Sequence, residues 1–305
     1  MNTGGNAPIG LVAGWGRFPI VVAEELKRRG ECVVCVGVRG HADTVLADIC
    51  DAFYWIGLGQ LGRAIRLLKR HGVRRATMAG KIHKVVLFRR WAWIRHLPDW
   101  RAVKAFAPHF LTRKKDNRDD SLLTTLCDEF AADGISFEPA TDLVPKLLIG
   151  RGILTRTKPN AWQQKDIAFG WRMAKEMGRL DIGQSVVVKD LAVLAVEAVE
   201  GTDACIRRAG ELCEAGGFTV VKVAKPQQDM RFDVPTIGTS TLQTILEAGG
   251  RTLAVEAGKT ILLDAEDVLR FADKHDMILV ALTEDDLVSA DNAELRDASA
   301  AGQSR

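Results

Sequence analysis

Along the chain, apolar positions alternate between a strand-like and a helix-like period. Residues 9–13 (Ile-Gly-Leu-Val-Ala) are a short apolar run of the kind a buried strand shows. Gly14-Trp15-Gly16 makes a tight turn, and Pro19 suits the first turn of a helix running to about Arg29 and stopped by Gly30. Residues 32–36 and 53–56 form second and third strands. A helix over 59–71 places Leu61, Ile65 and Leu68 on its core face, and 74–79 return to the sheet. An amphipathic helix over 119–130 is closed by Gly134. Strands alternating with helices predict a parallel, Rossmann-like sheet.

A second periodic region follows. A helix over 161–177 is capped by Asn160 and ended by Gly178. Residues 185–189 and 191–198 alternate around Lys189-Asp190 as a hairpin or two sheet strands. Thr202 is a natural N-cap for a helix over 204–215, and Asp203 suits its positive end. A strand over 218–224, a helix over 239–248, strands over 252–256 and 260–263, a helix over 265–275 and a strand over 277–281 complete the pattern. The fold class is α/β with two domains. An N-terminal Rossmann-like parallel sheet spans 1–138, and a C-terminal mixed α/β domain spans 153–285. Residues 139–152, interrupted by Pro139 and Pro145, connect them, and 286–305 form a fraying tail.

Within 223–238 charged Asp229, Arg231 and Asp233 alternate with Met230, Phe232 and Val234, between Pro226 and Pro235. An extended backbone puts the three charges on one face. That face is either a solvated edge or a place where two carboxylates and a guanidinium hold a divalent cation and a phosphate together.

Composition narrows the choice. Hydrophobic residues make up 47% of the 305 and charged residues 27%, enough for a sizeable core. Six cysteines in a chain this long suggest buried thiols in a reducing compartment, Cys32 and Cys35 included. No apolar run approaches the ~20 residues that span a bilayer, and the N-terminus lacks a basic signal-peptide region, so a cytoplasmic protein is expected. Net charge is only +3, but residues 81–118 carry eleven basic and two acidic residues, a net +9 that leaves −6 elsewhere. Trp91, Trp93 and Trp100 interleave with these basic residues. A solvated helical face, attachment to an anionic membrane surface and nucleic-acid binding are the readings open, the last without a recognisable module.

Two glycine turns could meet a ligand. Gly57-Leu-Gly-Gln-Leu-Gly62 matches G-x-G-x-x-G, but it follows the third strand, and no acidic ribose partner ends the next one. A turn of this kind leaves an NAD(P)-dependent oxidoreductase as the alternative function. The first turn, 13–19, is the better candidate. No histidine lies between Phe110 and Lys274, which removes a histidine base from the second domain as far as Lys274. Its inventory is Glu197, Glu200, Asp203, Asp229 and Asp233 with Lys222, Lys225 and Arg231, which suits metal-assisted phosphoryl chemistry.

Taken together, Ala13-Gly-Trp-Gly-Arg-Phe-Pro19, Gly57–Gly62, Met78-Ala-Gly-Lys81, Leu180-Asp-Ile-Gly-Gln184, Glu197-Ala-Val-Glu-Gly-Thr-Asp203 and Lys225-Pro-Gln-Gln-Asp-Met-Arg-Phe-Asp-Val-Pro-Thr-Ile-Gly238 occur in an order that resembles the LpxI-type UDP-2,3-diacylglucosamine pyrophosphatases. The resemblance runs from about Ile9 to Leu282. It implies Mg²⁺-dependent hydrolysis of UDP-2,3-diacylglucosamine to UMP and 2,3-diacylglucosamine 1-phosphate in lipid A biosynthesis, with water attacking the β-phosphorus. It also implies a homodimer and a lipid-holding cavity between the domains. The basic, Trp-bearing segment then fits peripheral contact with the cytoplasmic face of the inner membrane, with no nucleic-acid partner. On this reading Asp229 is a metal ligand or water-orienting base, and Asp233, Glu200 and Asp203 are further candidate metal ligands. Lys225 and Arg231 hold the diphosphate, and Gln184, Gln227 and Gln228 hydrogen-bond the substrate. Gly14, Gly16 and Arg17 meet the nucleotide or sugar, and Lys81, Thr202 and Thr236 are further substrate contacts.

Overall fold

The computed structural model describes residues 7–82, 96–111, 119–231 and 234–287. The chain divides into two compact units. The first is Met1–Pro145 together with Asp229–Asp233, and the second is Lys146–Gln228 together with Val234–Arg305.

The first unit is a parallel sheet of strands β1 (Ile9–Ala13), β2 (Val33–Val38), β3 (Ala52–Ile56), β4 (Arg75–Ala79) and β5 (Ser136–Phe137), in the order β3-β2-β1-β4-β5. All six β2 residues are buried, which is how a parallel strand covered on both faces reads. Helix α1 (Phe18–Arg28) packs on β1, β2 and β4 through residues that include Val22 and Leu26. Helix α2 (Leu46–Ile49) precedes β3. Helices α3 (Leu61–Arg70), α4 (Trp100–Leu111) and α5 (Asp119–Ala131) share a core with Val34, Val36, Ile65, Leu68, Phe130 and Ile135. Strand order reverses between β1 and β4, so their carboxyl ends border the crevice where open α/β sheets bind ligands. Helix α6 (Ala140–Leu143) closes the unit.

The second unit has a mixed sheet. Strands β6 (Gly152–Ile153), β7 (Ser185–Lys189), β8 (Ala192–Val196), β9 (Thr219–Lys222), β11 (Thr252–Glu256) and β13 (Ile278–Leu282) run in the order β6-β13-β11-β9-β7-β8. The central three are parallel, while β6, β7 and β8 pair antiparallel with their neighbours. Strands β10 (Thr236–Ile237) and β12 (Ile261–Leu262) form a separate parallel pair. The expected hairpin is β7–β8, turned by Asp190 and Leu191, both at positive φ. Buried Asp166 accepts both of their N–H groups at 3.1 and 2.8 Å.

Helix α7 (Ala161–Arg179) begins with an Asn160–Gln163 capping box. It does not end at Gly178. Arg179 is its last residue, and Asp181, at φ 57°, turns the chain. Gly178 is needed for close approach: a Cβ there would lie 3.2 Å from Pro226 Cδ and 3.3 Å from Lys225 Cα. Helices α8 (Thr202–Leu212), α9 (Thr239–Glu247) and α10 (Ala265–Lys274) complete the unit. Leu242, Ile245, Leu253, Val268 and Leu279 are fully buried in its larger core cluster.

Candidate active site

The unit-one candidates come together at the carboxyl edge of β1 and β4. Gly14 N–H donates to Ala79 C=O at 2.8 Å, and Trp15 and Lys81 exchange backbone hydrogen bonds at 2.8 and 2.9 Å. A Cβ on Gly14 would sit 2.8 Å from the Lys81 carbonyl oxygen, and Gly16 adopts φ +108°. Gly14, Gly16 and Lys81 therefore share one edge because the backbones of the two turns touch. No side chain caps α1, whose start faces this turn. Arg17 precedes α1 and pairs with Glu24 at 3.1 Å.

The second glycine turn serves packing. A Cβ on Gly59 would lie 2.6 Å from the His96 carbonyl oxygen and from Pro98 Cα. Leu58 N–H donates to His96 Nδ1 at 3.0 Å, and Asp99 N–H to Gly59 C=O at 2.9 Å. The Asp99 carboxylate accepts Arg63 N–H at 3.1 Å in the first turn of α3 and Ala102 N–H at 3.0 Å in α4. The helix end where a dinucleotide would place its phosphates thus already holds an anion. Of the basic segment, Trp91 and Trp93 lie outside the described residues. Trp100 is 82% exposed, while Arg101 pairs with Glu129 at 2.7 Å and with Asp133.

In the second unit the segment after β9 is tied down by side chains. Ala224 N–H donates to Glu256 Oε2 at 2.9 Å. Lys175 Nζ reaches the same oxygen at 2.6 Å and the Ala224 carbonyl at 3.2 Å. Lys225 Nζ pairs with Asp181 at 2.7 Å, and Gln228 Oε1 accepts Lys225 N–H at 2.8 Å. Gln228 Nε2 lies 3.4 Å from Gln184 Oε1, whereas Gln227 is exposed. Lys225, Gln184 and Gln228 are therefore neighbours, brought together by the Gly178 contact and by the Val223 N–H bond to Gln184 C=O.

The chain over Asp229, Met230 and Arg231 is a turn, which corrects the extended strand expected there. Asp229 and Arg231 do not stand side by side on a strand face. The Asp229 carboxylate accepts Arg231 N–H at 3.0 Å, Nε at 3.0 Å and Nη2 at 2.7 Å. A short carboxylate that binds the backbone two residues on offers the chain this alternative to a strand. The Arg231 bonds hold the Asp229 carboxyl below its ordinary range, and Asp229 raises Arg231 in return. Burial pushes the Cys127 thiol on α5 up to about 11, with Arg231 and Asp229 acting on it in opposite directions. Asp233 lies outside the described residues.

The acidic cluster also differs from expectation. Gly201, at φ +84°, is the N-cap of α8; Thr202 is its first helical residue, not the cap. Thr202 Oγ1 donates inward to Glu197 Oε1 at 2.8 Å and accepts from Lys222 Nζ at 3.1 Å. Lys222 also reaches the Thr236 carbonyl at 3.4 Å, which places Thr236 beside this group. Glu200 instead turns to Arg208 at 2.6 Å, and Asp203 is exposed. Among the described residues no three His, Cys, Asp or Glu side chains group as a metal site. The sequence inventory held Glu197 and Lys222 without choosing them, and it passed over Glu256. The signal was a charge ending a buried apolar strand, as in Thr219–Lys222 and Thr252–Glu256.

Comparison with known proteins gives two consecutive family matches: the LpxI N-terminal domain over residues 8–147 and the LpxI C-terminal domain over 150–280. A relative from Caulobacter vibrioides (strain ATCC 19089 / CIP 103742 / CB 15), named UDP-2,3-diacylglucosamine pyrophosphatase LpxI, is 33% identical over 272 residues, covering 87% of this chain and 94% of its own. Two solved structures are each 12% identical. UDP-glucose-4-epimerase from Stenotrophomonas maltophila, with bound NAD and formylated UDP-arabinopyranose, gives a TM-score of 0.27 over 43% of this chain and 35% of its own. The protein gox2253 gives 0.28 over 92% and 91%. Likenesses this distant bear on neither fold nor function.

Proposed function

The chain belongs to the LpxI family, and we propose that it hydrolyses the diphosphate of UDP-2,3-diacylglucosamine to UMP and 2,3-diacylglucosamine 1-phosphate, a step of lipid A biosynthesis. The observation that carries this reading is the 33% identity to a UDP-2,3-diacylglucosamine pyrophosphatase across nearly both full lengths. The carboxyl edge of β1 and β4, with Gly14, Gly16 and Lys81, suits the nucleotide, since small residues let backbone approach a ligand. We assign the neighbouring Lys225, Gln184 and Gln228 to polar substrate groups, and Arg231 to phosphate oxygens. The alternative NAD(P) reading is disfavoured by the Asp99 carboxylate at the start of α3.

Each unit by itself holds a carboxylate that suits magnesium: in the first, Asp229 is held ionised beside Arg231, and in the second, Glu197 Oε2 is buried without a hydrogen-bond partner among the described residues. Bound Mg²⁺ would neutralise diphosphate charge and lower the pKa of water. The chain's own part is then to place the diphosphate with Lys225 and Arg231 and to orient water with the Asp229 carboxylate toward the β-phosphorus. Among the described residues no helix is long and apolar enough to cross a membrane. Peripheral contact with an anionic surface and a homodimer belong to the same proposal. Incubation with UDP-2,3-diacylglucosamine and Mg²⁺ in ¹⁸O water tests it. UMP release with label in the lipid product is expected; no hydrolysis would overturn the reading, and label in UMP would overturn β-phosphorus attack.

A further inference from the structure

Glu197 ends the β8 segment nine-tenths buried, and one of its two carboxylate oxygens is satisfied. Oε1 accepts the Thr202 hydroxyl at 2.8 Å; Oε2 has no partner among the described residues. An orphaned oxygen on a buried carboxylate is destabilising unless a donor or cation meets it. The group is held rigidly. Glu197 N–H donates to Ser185 C=O at 2.9 Å, and a Cβ on Gly183 would lie 2.0 Å from the Glu197 carbonyl oxygen. Ser185 Oγ lies 3.5 Å from Thr202 Oγ1, and Lys222 Nζ lies 3.1 Å from that same oxygen.

Next to the carboxylate is the start of α8, an eleven-residue helix with no side-chain cap. Its first N–H groups favour an anion. A buried carboxylate oxygen without a partner among the described residues, an ammonium group on the shared hydroxyl and a helix start without a side-chain cap therefore lie together in the second unit. Magnesium is commonly bound by one or two carboxylates plus waters and phosphate oxygens, so a cluster of three acids is not required.

We propose that Glu197 is a divalent-cation ligand of the second unit, fixed by Thr202 and Lys222, and that the start of α8 receives a phosphate of the diphosphate beside it. The proposal rests on the hydrolase reading for the identity of the phosphate, while the cation site stands on Glu197 itself. It assigns a ligand role to Glu197 in preference to Glu200, which Arg208 engages, and Asp203, which is exposed.

Titration of the full chain with Mn²⁺, without substrate, followed by the electron paramagnetic resonance signal of free Mn²⁺, reads the site independently of turnover. Wild type is expected to bind Mn²⁺ and Glu197→Gln to bind it about 10–100-fold more weakly. Glu211→Gln, at the exposed end of α8, is the control and should match wild type. Absence of binding to wild type, or unchanged affinity in Glu197→Gln, would overturn the proposal, water then being the partner of Oε2. If circular dichroism shows Glu197→Gln unfolded, Thr202→Val provides the second reading: weakened Mn²⁺ binding supports the seat and wild-type affinity overturns it. UMP release by a wild type whose Mn²⁺ affinity is unaffected by Glu197→Gln would keep the hydrolase and remove this site. Lost Mn²⁺ binding in Glu197→Gln, with no hydrolysis by wild type, would do the reverse.

Discussion

Lys175 Nζ stands 2.6 Å from Glu256 Oε2, and that same carboxylate oxygen accepts the N–H of Ala224. The pair joins α7 to β11 and clamps the residue from which Lys225 departs. Both side chains are largely buried, and removing one partner of such a pair costs about 3–5 kcal/mol because the other charge is left uncompensated. Glu256→Ala should therefore lower stability by that order in urea titrations and raise KM for the UDP-sugar. Unchanged values of both would remove the clamp.

The same carboxylate predicts a pH dependence. Burial raises the Glu256 pKa, but the bonds from Lys175, Lys259 and Ala224 outweigh it and hold the group below its ordinary value of 4.5. A group whose folded pKa is depressed adds stability above the unfolded value, and this is lost as pH falls through the folded one. Melting temperature should drop below about pH 4.5 in wild type, and Glu256→Gln should show a shallower drop. Parallel pH profiles would contradict this.

Asp229→Asn is expected to reduce UMP release by about 10²-fold or more, as loss of a group acting on developing charge does. The Asp229–Arg231 pair is about one-third exposed, so its loss should cost no more than about 1 kcal/mol of stability. Arg231→Lys should also lose activity, since an ammonium cannot reproduce the forked contact. Turnover within twofold of wild type in either variant would remove that residue from the chemistry.

At the unit-one edge, Gly14→Ala would press a methyl group 2.8 Å from the Lys81 carbonyl oxygen. Separation of the two turns should cost about 1–3 kcal/mol and weaken UMP binding measured by calorimetry. Gly59→Ala should destabilise comparably through His96 and Pro98 but leave UMP affinity unchanged in the folded fraction. Thermal shift with NAD(P)H should be nil for wild type, and a clear rise would favour the nicotinamide reading.

Much of the fold was legible because strand and helix periods are local. The β7–β8 hairpin, the Asn160 cap and the helices over Leu61–Arg70 and Ala265–Lys274 follow from patterning and capping chemistry within a few residues. Gly178 was misread because a glycine late in a helical pattern looks like a stop. Its role lies in contact with Pro226, forty-eight positions along the chain. Thr202 was misplaced by one residue because Gly201 takes the cap through a positive φ no side chain announces.

For the segment opening at Lys225, the charge inventory, the bracketing prolines and the family could be read from the residues alone. Which charges face one another depended on contacts between distant parts of the chain. Alternation suggested a strand, but Asp229 and Arg231 bond each other in a turn, because an Asx bond two residues ahead competes with an extended backbone. Glu197 and Lys222 were brought to one hydroxyl by the β7–β9 register, which pairs Ser185 with Lys222. Pairing across a sheet joins residues by hydrogen-bond register, and no local pattern in a single strand records it.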